Sequence, residues 1–149
     1  MSNTHLIRFY LALLALFTVG RWGLSLGGAN YDLTHQVFSI VILTNLSTAY
    51  YAFVVRGFAG GGLKRAVLIG ALLGAISQVV ILLSTAASYM AGMETFFNHP
   101  TALNATEAVA FGDAMVGRCI TFVANVVTNT ITAALGYGIA SLTGPKAGE

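Results

Sequence analysis

Four long, nearly charge-free apolar runs account for most of this chain, and the segments between them hold most of the acids and the glycine clusters. The runs cover about 6–26, 37–55, 66–90 and 114–142. A helix needs about 20 apolar residues to cross roughly 30 Å of hydrocarbon, and each run is of that order. None carries the continuous polar face that a water-exposed amphipathic helix requires. Strict polar–apolar alternation over ~10-residue segments, the mark of a membrane β-barrel, is absent. The pattern predicts an all-α fold: a four-helix transmembrane bundle forming one integral membrane domain, 1–149.

The connecting segments sharpen that expectation. Gly27-Gly28-Ala29-Asn30 marks a turn between the first two spans. Arg56 to Arg65 contains Gly60-Gly61-Gly62, a link short enough to make spans two and three antiparallel neighbours. The third connection, from Glu94 to Asp113, is longer. Pro100 suits the first turn of a helix, so Thr101 to Phe111 reads as a short helix on the membrane surface. The first run follows Arg8 as the apolar region of a signal peptide follows its basic region, but Gly20-Arg21-Trp22 makes no cleavage pattern, so it reads as a retained span.

Composition agrees with the hydropathy pattern. Hydrophobic residues make up 56% and charged residues 8% of the chain, with a mean hydropathy of +0.79. Too few charges are present to cover a soluble surface. The net charge of +2 is spread out and leaves no nucleic-acid footprint. Cys119 is the only cysteine, which excludes an internal disulfide.

Lysine and arginine placement predicts sidedness. With both termini inside, Arg8, Arg56, Lys64, Arg65 and Lys146 face the cytoplasm, and only Arg21 and Arg118 lie outside. Asp32, Glu94, Glu107 and Asp113 fall outside, and only Glu149 inside. The expected topology is N-in/C-in with a longer outer loop between helices 3 and 4, in a bacterial inner membrane. Trp22 and Tyr31 would mark the outer interface, Tyr50, Tyr51, Phe53 and Phe58 the inner one, and Phe96 and Phe97 would anchor the outer loop.

Two faces carry small residues. Gly70 and Gly74 are one turn apart in the third span, and Gly117 and Gly136 occupy the fourth. Such stripes let backbones approach closely, the main force joining helices in lipid. Amides sit near the span centres: Asn45, Gln78, Asn125 and Asn129. They are expected to form a hydrogen-bonded layer at mid-bundle, either as packing glue or as a polar pathway. No Asp, Glu, Lys or His lies at mid-depth, which argues against proton coupling.

Candidate chemistry is sparse. Arg118 sits inside the fourth span, where a charge must pair or snorkel. Asp113, Asp32 and Glu107 are its expected partners, with Arg21 in the same network. Together Arg21 and Arg118 form a candidate site for an anion or lipid head group. His35 and His99 are weak metal candidates beside Asp32, Glu94 and Glu107, while His5 reads as solvated. No nucleophile motif, paired catalytic carboxylates or phosphate loop appears, so no catalytic residue and no cofactor is assigned. The expected function is a non-catalytic accessory or scaffold subunit of a larger membrane complex, with lipid and other membrane subunits as partners and a lipid, quinone or pigment contact as an option. The alternatives are a small homo-oligomeric transporter or channel, and a metal-dependent membrane enzyme.

Overall fold

A computed structural model describes residues 3–143, with side chains from Ile7 onward. Lys146, Glu149 and the His5 side chain therefore lie outside the described residues. Five α-helices follow in order: α1 Asn3–Leu26, α2 Tyr31–Thr34, α3 Ile40–Gly57, α4 Leu63–Met90 and α5 Phe111–Thr143. A 3-10 turn covers Pro100–Leu103, and no strand occurs among the described residues. Four of the helices (α1, α3, α4 and α5) are long and apolar enough to cross a membrane.

These four alternate in direction, because each short link returns the chain across the bundle. One end carries the glycine turn between α3 and α4, and the other the long loop between α4 and α5. After α1, Gly28 adopts a φ of 74°, and the Ala29 N–H reaches back to the Leu24 carbonyl at 3.0 Å. That left-handed step lets the helix carbonyls bond as the chain turns away. Asn30 and Ser39 then cap α2 and α3 through their side-chain oxygens.

Helices α3, α4 and α5 form a tight triangle, with the most extensive contact between α4 and α5. The stripe on α4 explains that contact. A Cβ added at Gly70 would fall 2.7 Å from the Ala133 Cβ and 2.7 Å from the Asn129 carbonyl oxygen. One added at Gly74 would lie 3.2 Å from the Asn129 Cβ and the Val126 Cα. Gly136 plays the same part against α3, where its Cβ would come within 3.0 Å of the Ala49 carbonyl. Gly117 does not: nothing lies within 4 Å of its added Cβ. Glycine in a helix permits close approach only on the side where a neighbour stands.

Helix α1 is attached more loosely, through Ile7, Tyr10 and Leu14. Tyr10 is fully buried, with its hydroxyl 3.0 Å from Thr44 Oγ1 and 3.3 Å from the Leu73 carbonyl oxygen. A second tie lies nearer the long loop. Phe38 holds a φ of 54°, uncommon for a bulky residue. Its ring sits against Gly20, where an added Cβ would be only 2.7 Å away, and edge-on to Phe17. Thus the chain entering α3 is wedged onto α1.

The long loop departs from the expected surface helix. Only Pro100–Leu103 is helical, and it ends at Asn104, whose φ of 57° is left-handed. Beyond it, the Tyr89 hydroxyl donates to the Val109 carbonyl at 2.7 Å, tying the segment down to α4. The loop is instead folded onto the bundle by side chains: Ser25 Oγ accepts from the Phe96 N–H at 3.0 Å, and Ser88 Oγ lies 2.7 Å from Thr95 Oγ1.

Candidate functional site

The central amides form cross-helix pairs rather than one layer. Thr48 donates to Asn129 Oδ1 at 2.8 Å, and Thr132 donates to Asn45 Oδ1 at 3.4 Å, both joining α3 to α5. The remaining donors turn inward on their own helices: Asn129 to the Asn125 carbonyl, Asn125 to that of Thr121, and Asn45 to that of Val41. Gln78 is 3% exposed and makes no cross-helix hydrogen bond among the described residues, but its amide is not a buried unpartnered group as His99 Nδ1 is.

The densest polar chemistry lies at the long-loop end. Phe96 and Phe97 are buried, at 4% and 1% exposure, and fix the loop to the bundle. Their consecutive carbonyls are each taken by an arginine. Arg118 of α5 donates from its Nη2 to the Phe97 carbonyl at 2.6 Å and from Nε to Thr85 Oγ1 at 3.0 Å. Arg21 of α1 donates to the His35 carbonyl at 3.0 Å and, at a longer 3.5 Å, to the Phe96 carbonyl. The Arg21 guanidinium also stands 5.6 Å and 5.5 Å from the centres of the Phe96 and Phe97 rings. Cation–π attraction adds to such an arrangement.

Neither arginine has the carboxylate partner expected for it. Asp32, Glu94, Glu107 and Asp113 are exposed, and among the described residues none reaches ion-pair distance of Arg21 or Arg118. Asp113 shares only a narrow cleft of about 50 Å³ with Arg118. Three backbone carbonyls and the Thr85 hydroxyl take two donors from each arginine and leave the two formal charges in place.

Both guanidiniums line one cavity of about 190 Å³. Its walls include Ser39, Ile40 and Val41 at the start of α3, Ile81 of α4, and Phe96 with Phe97. A larger cavity, about 560 Å³, lies on the other side of Tyr31 and Phe96, which line both spaces. Its lining includes Ser88, Tyr89, Glu94 and His99. Tyr31 is stacked flat on His99, with centroids 4.1 Å apart and planes at 8°, and on His35 at 5.5 Å.

That stack separates the two histidines. Among the described residues no group of three His, Cys, Asp or Glu side chains could hold a metal. His35 Nδ1 lies 3.1 Å from the Asp32 carbonyl, and the buried Nδ1 of His99 has no partner. Sequence reasoning reached the arginines, and Phe96 and Phe97 as loop anchors, but not Thr85 or the carbonyls that the arginines take, because a main-chain oxygen leaves no mark in the sequence. Comparison with protein-family models, curated proteins and solved structures returns no match.

Proposed function

We propose that this chain is a non-catalytic subunit of a larger membrane complex, held in a bacterial inner membrane with both termini inside. The inside-rich distribution of lysine and arginine supports that orientation. The observation that carries the assembly reading is the free side of α5. This helix is 33 residues long, yet only Ala114, Asn129, Ala133 and Ala140 are buried. Beside its apolar lipid-facing residues runs a small and polar row: Gly117, Thr121, Asn125 and Thr128. Thr128 is exposed and the other three are partly exposed; Gly117 has open space where a Cβ would be, and Gly117 and Thr121 also border the narrow cleft beside Ala102, Leu103 and Asn104. Against acyl chains such a row gains nothing, whereas against another helix it permits close packing and interhelical hydrogen bonds.

Purification from the native membrane in a mild detergent tests the reading. Unlike chains in fixed ratio are expected, and replacing Gly117 and Thr128 by leucine should release them while the chain stays folded. A single species holding only this chain would overturn the subunit reading. Should that species be a ring of copies, the same polar row would face a shared path, and solute flux lost on Asn125→Leu would mark a transporter.

A further inference from the structure

The bundle leaves a charge problem at its long-loop end. Arg118 lies seven residues into α5 and Arg21 five residues before the end of α1, about 10 Å and 8 Å along their helices. Both side chains face the same 190 Å³ cavity, whose lining holds no Asp, Glu or His. The cavity therefore carries two positive charges and no negative one. Two like charges brought close in a poorly solvated space repel strongly, and carbonyl dipoles only partly offset this.

The unused hydrogen-bond donors say what would relieve it. A guanidinium has five N–H donors. Arg118 uses two, on Thr85 and Phe97, and Arg21 two, on His35 and Phe96, besides a side-chain interaction with Tyr31, so donors remain on both. A third source of positive potential is the start of α3, an 18-residue helix whose opening residues Ser39, Ile40 and Val41 line the cavity. The Ile40 and Val41 N–H groups have no acceptor among the described residues. Free N–H groups at a helix start, together with the helix dipole, favour an anion.

We propose that this cavity is an oxyanion site for a phosphate-class group, supplied as the phosphate of an anionic lipid head group or as free phosphate. A phosphate oxyanion presents several acceptor oxygens in different directions, which suits two arginine forks arriving from different helices. Chloride would leave most of those donors and much of the volume unused. The buried Ile40 and Ile81 exclude water from one side, which strengthens each charge-assisted bond. Occupation would lock α1 to α5 through the loop that both arginines already hold. The proposal does not depend on the subunit reading, since a lone chain or a homo-oligomer would carry the same cavity.

The chain supplies its own reporter. Trp22 is the only tryptophan, and its ring is 5.5 Å from that of Phe97, beside the arginine clasp. The full chain, delipidated in a neutral detergent at pH 7, is titrated with inorganic phosphate and separately with dihexanoyl phosphatidylglycerol. Sodium chloride at matched ionic strength is the control. A saturable Trp22 fluorescence change beyond the control is expected. Saturation by the lipid alone identifies a head-group site, by phosphate alone a solute site, and mutual competition one site open to both; each supports the proposal. Arg118→Gln should weaken binding about tenfold or more, the worth of a charge-assisted hydrogen bond. Should that variant fail to fold, Ser39→Asp is decisive. Aspartate caps a helix as serine does, so α3 is kept while a carboxylate enters the cavity and should abolish saturation. No response above the chloride control, or unchanged affinity in Ser39→Asp, would overturn the site.

Discussion

The middle of the bundle and its long-loop end solve the burial of polar groups in opposite ways. In the middle, every group is neutral, and most bonds close within the three packed helices: Thr48 with Asn129, Thr132 with Asn45, and the other amide donors on their own helical carbonyls. At the loop end, two full charges are held by three main-chain oxygens and the Thr85 hydroxyl, with no carboxylate in reach among the described residues. The middle is electrically complete as it stands, and its polar groups read as packing. The end is complete neither in charge nor in donors taken up, and the missing counter-charge is what points to a ligand.

Substitutions can break that contrast, and the largest effect is expected at the α4–α5 seam. Gly70→Leu would drive a branched side chain into Ala133 and the Asn129 backbone. One extra methyl in a tight core already costs about 1–3 kcal/mol, so this variant should yield no monodisperse protein by size-exclusion chromatography in detergent. Next comes Arg118→Gln, which leaves the Phe97 carbonyl and Thr85 with poorer partners. Its unfolding should be easier by about 1–3 kcal/mol, the cost of stranding a buried polar group. Thr48→Val removes one interhelical bond to Asn129. The loss should be near 0.6 kcal/mol, the average for such bonds in a membrane protein. Smallest are Gln78→Leu and Gly117→Ala. The first removes an amide that makes no cross-helix bond, and the second fills open space, so both should fall within about 0.5 kcal/mol of wild type or stabilise it. A large loss in Gln78→Leu would mean that its amide is engaged after all, and the middle would no longer be the self-contained region.

How far the sequence reveals this arrangement differs between the same two regions. The helices were legible because a bilayer-length apolar run is a continuous signal: the expected 37–55, 66–90 and 114–142 became Ile40–Gly57, Leu63–Met90 and Phe111–Thr143. Helical phase also brought Gly70 and Gly74 onto the side that meets α5. Phase cannot tell which side has a neighbour, however. Gly117 belongs to the same residue class and lies just over two turns from Asn125, yet has open space where a Cβ would be. At the loop end, charge pattern suggested carboxylate partners for Arg118 from Asp113, Asp32 and Glu107. The acceptors are the Phe97 carbonyl and the Thr85 hydroxyl for Arg118, and the His35 and Phe96 carbonyls for Arg21; every residue has a carbonyl, so composition holds no trace of which are used. The surface helix expected over Thr101 to Phe111 failed for a related reason. Asn104 turns left-handed, and Tyr89 captures the Val109 carbonyl, both consequences of tertiary packing rather than local preference.

Thermal unfolding of the full chain in neutral detergent, followed as a function of inorganic phosphate or short-chain phosphatidylglycerol, sets the two regions against each other. A ligand that binds only the folded state raises the midpoint with its concentration. Wild type should show that rise. Asn129→Leu should start from a lower midpoint but keep the same rise, because it damages only the self-sufficient middle. Ser39→Asp should start higher and stay flat, its carboxylate already answering the two arginines. A wild-type midpoint indifferent to both ligands, with Ser39→Asp no more stable than wild type, would show that the arginine end lacks nothing and would contradict the account.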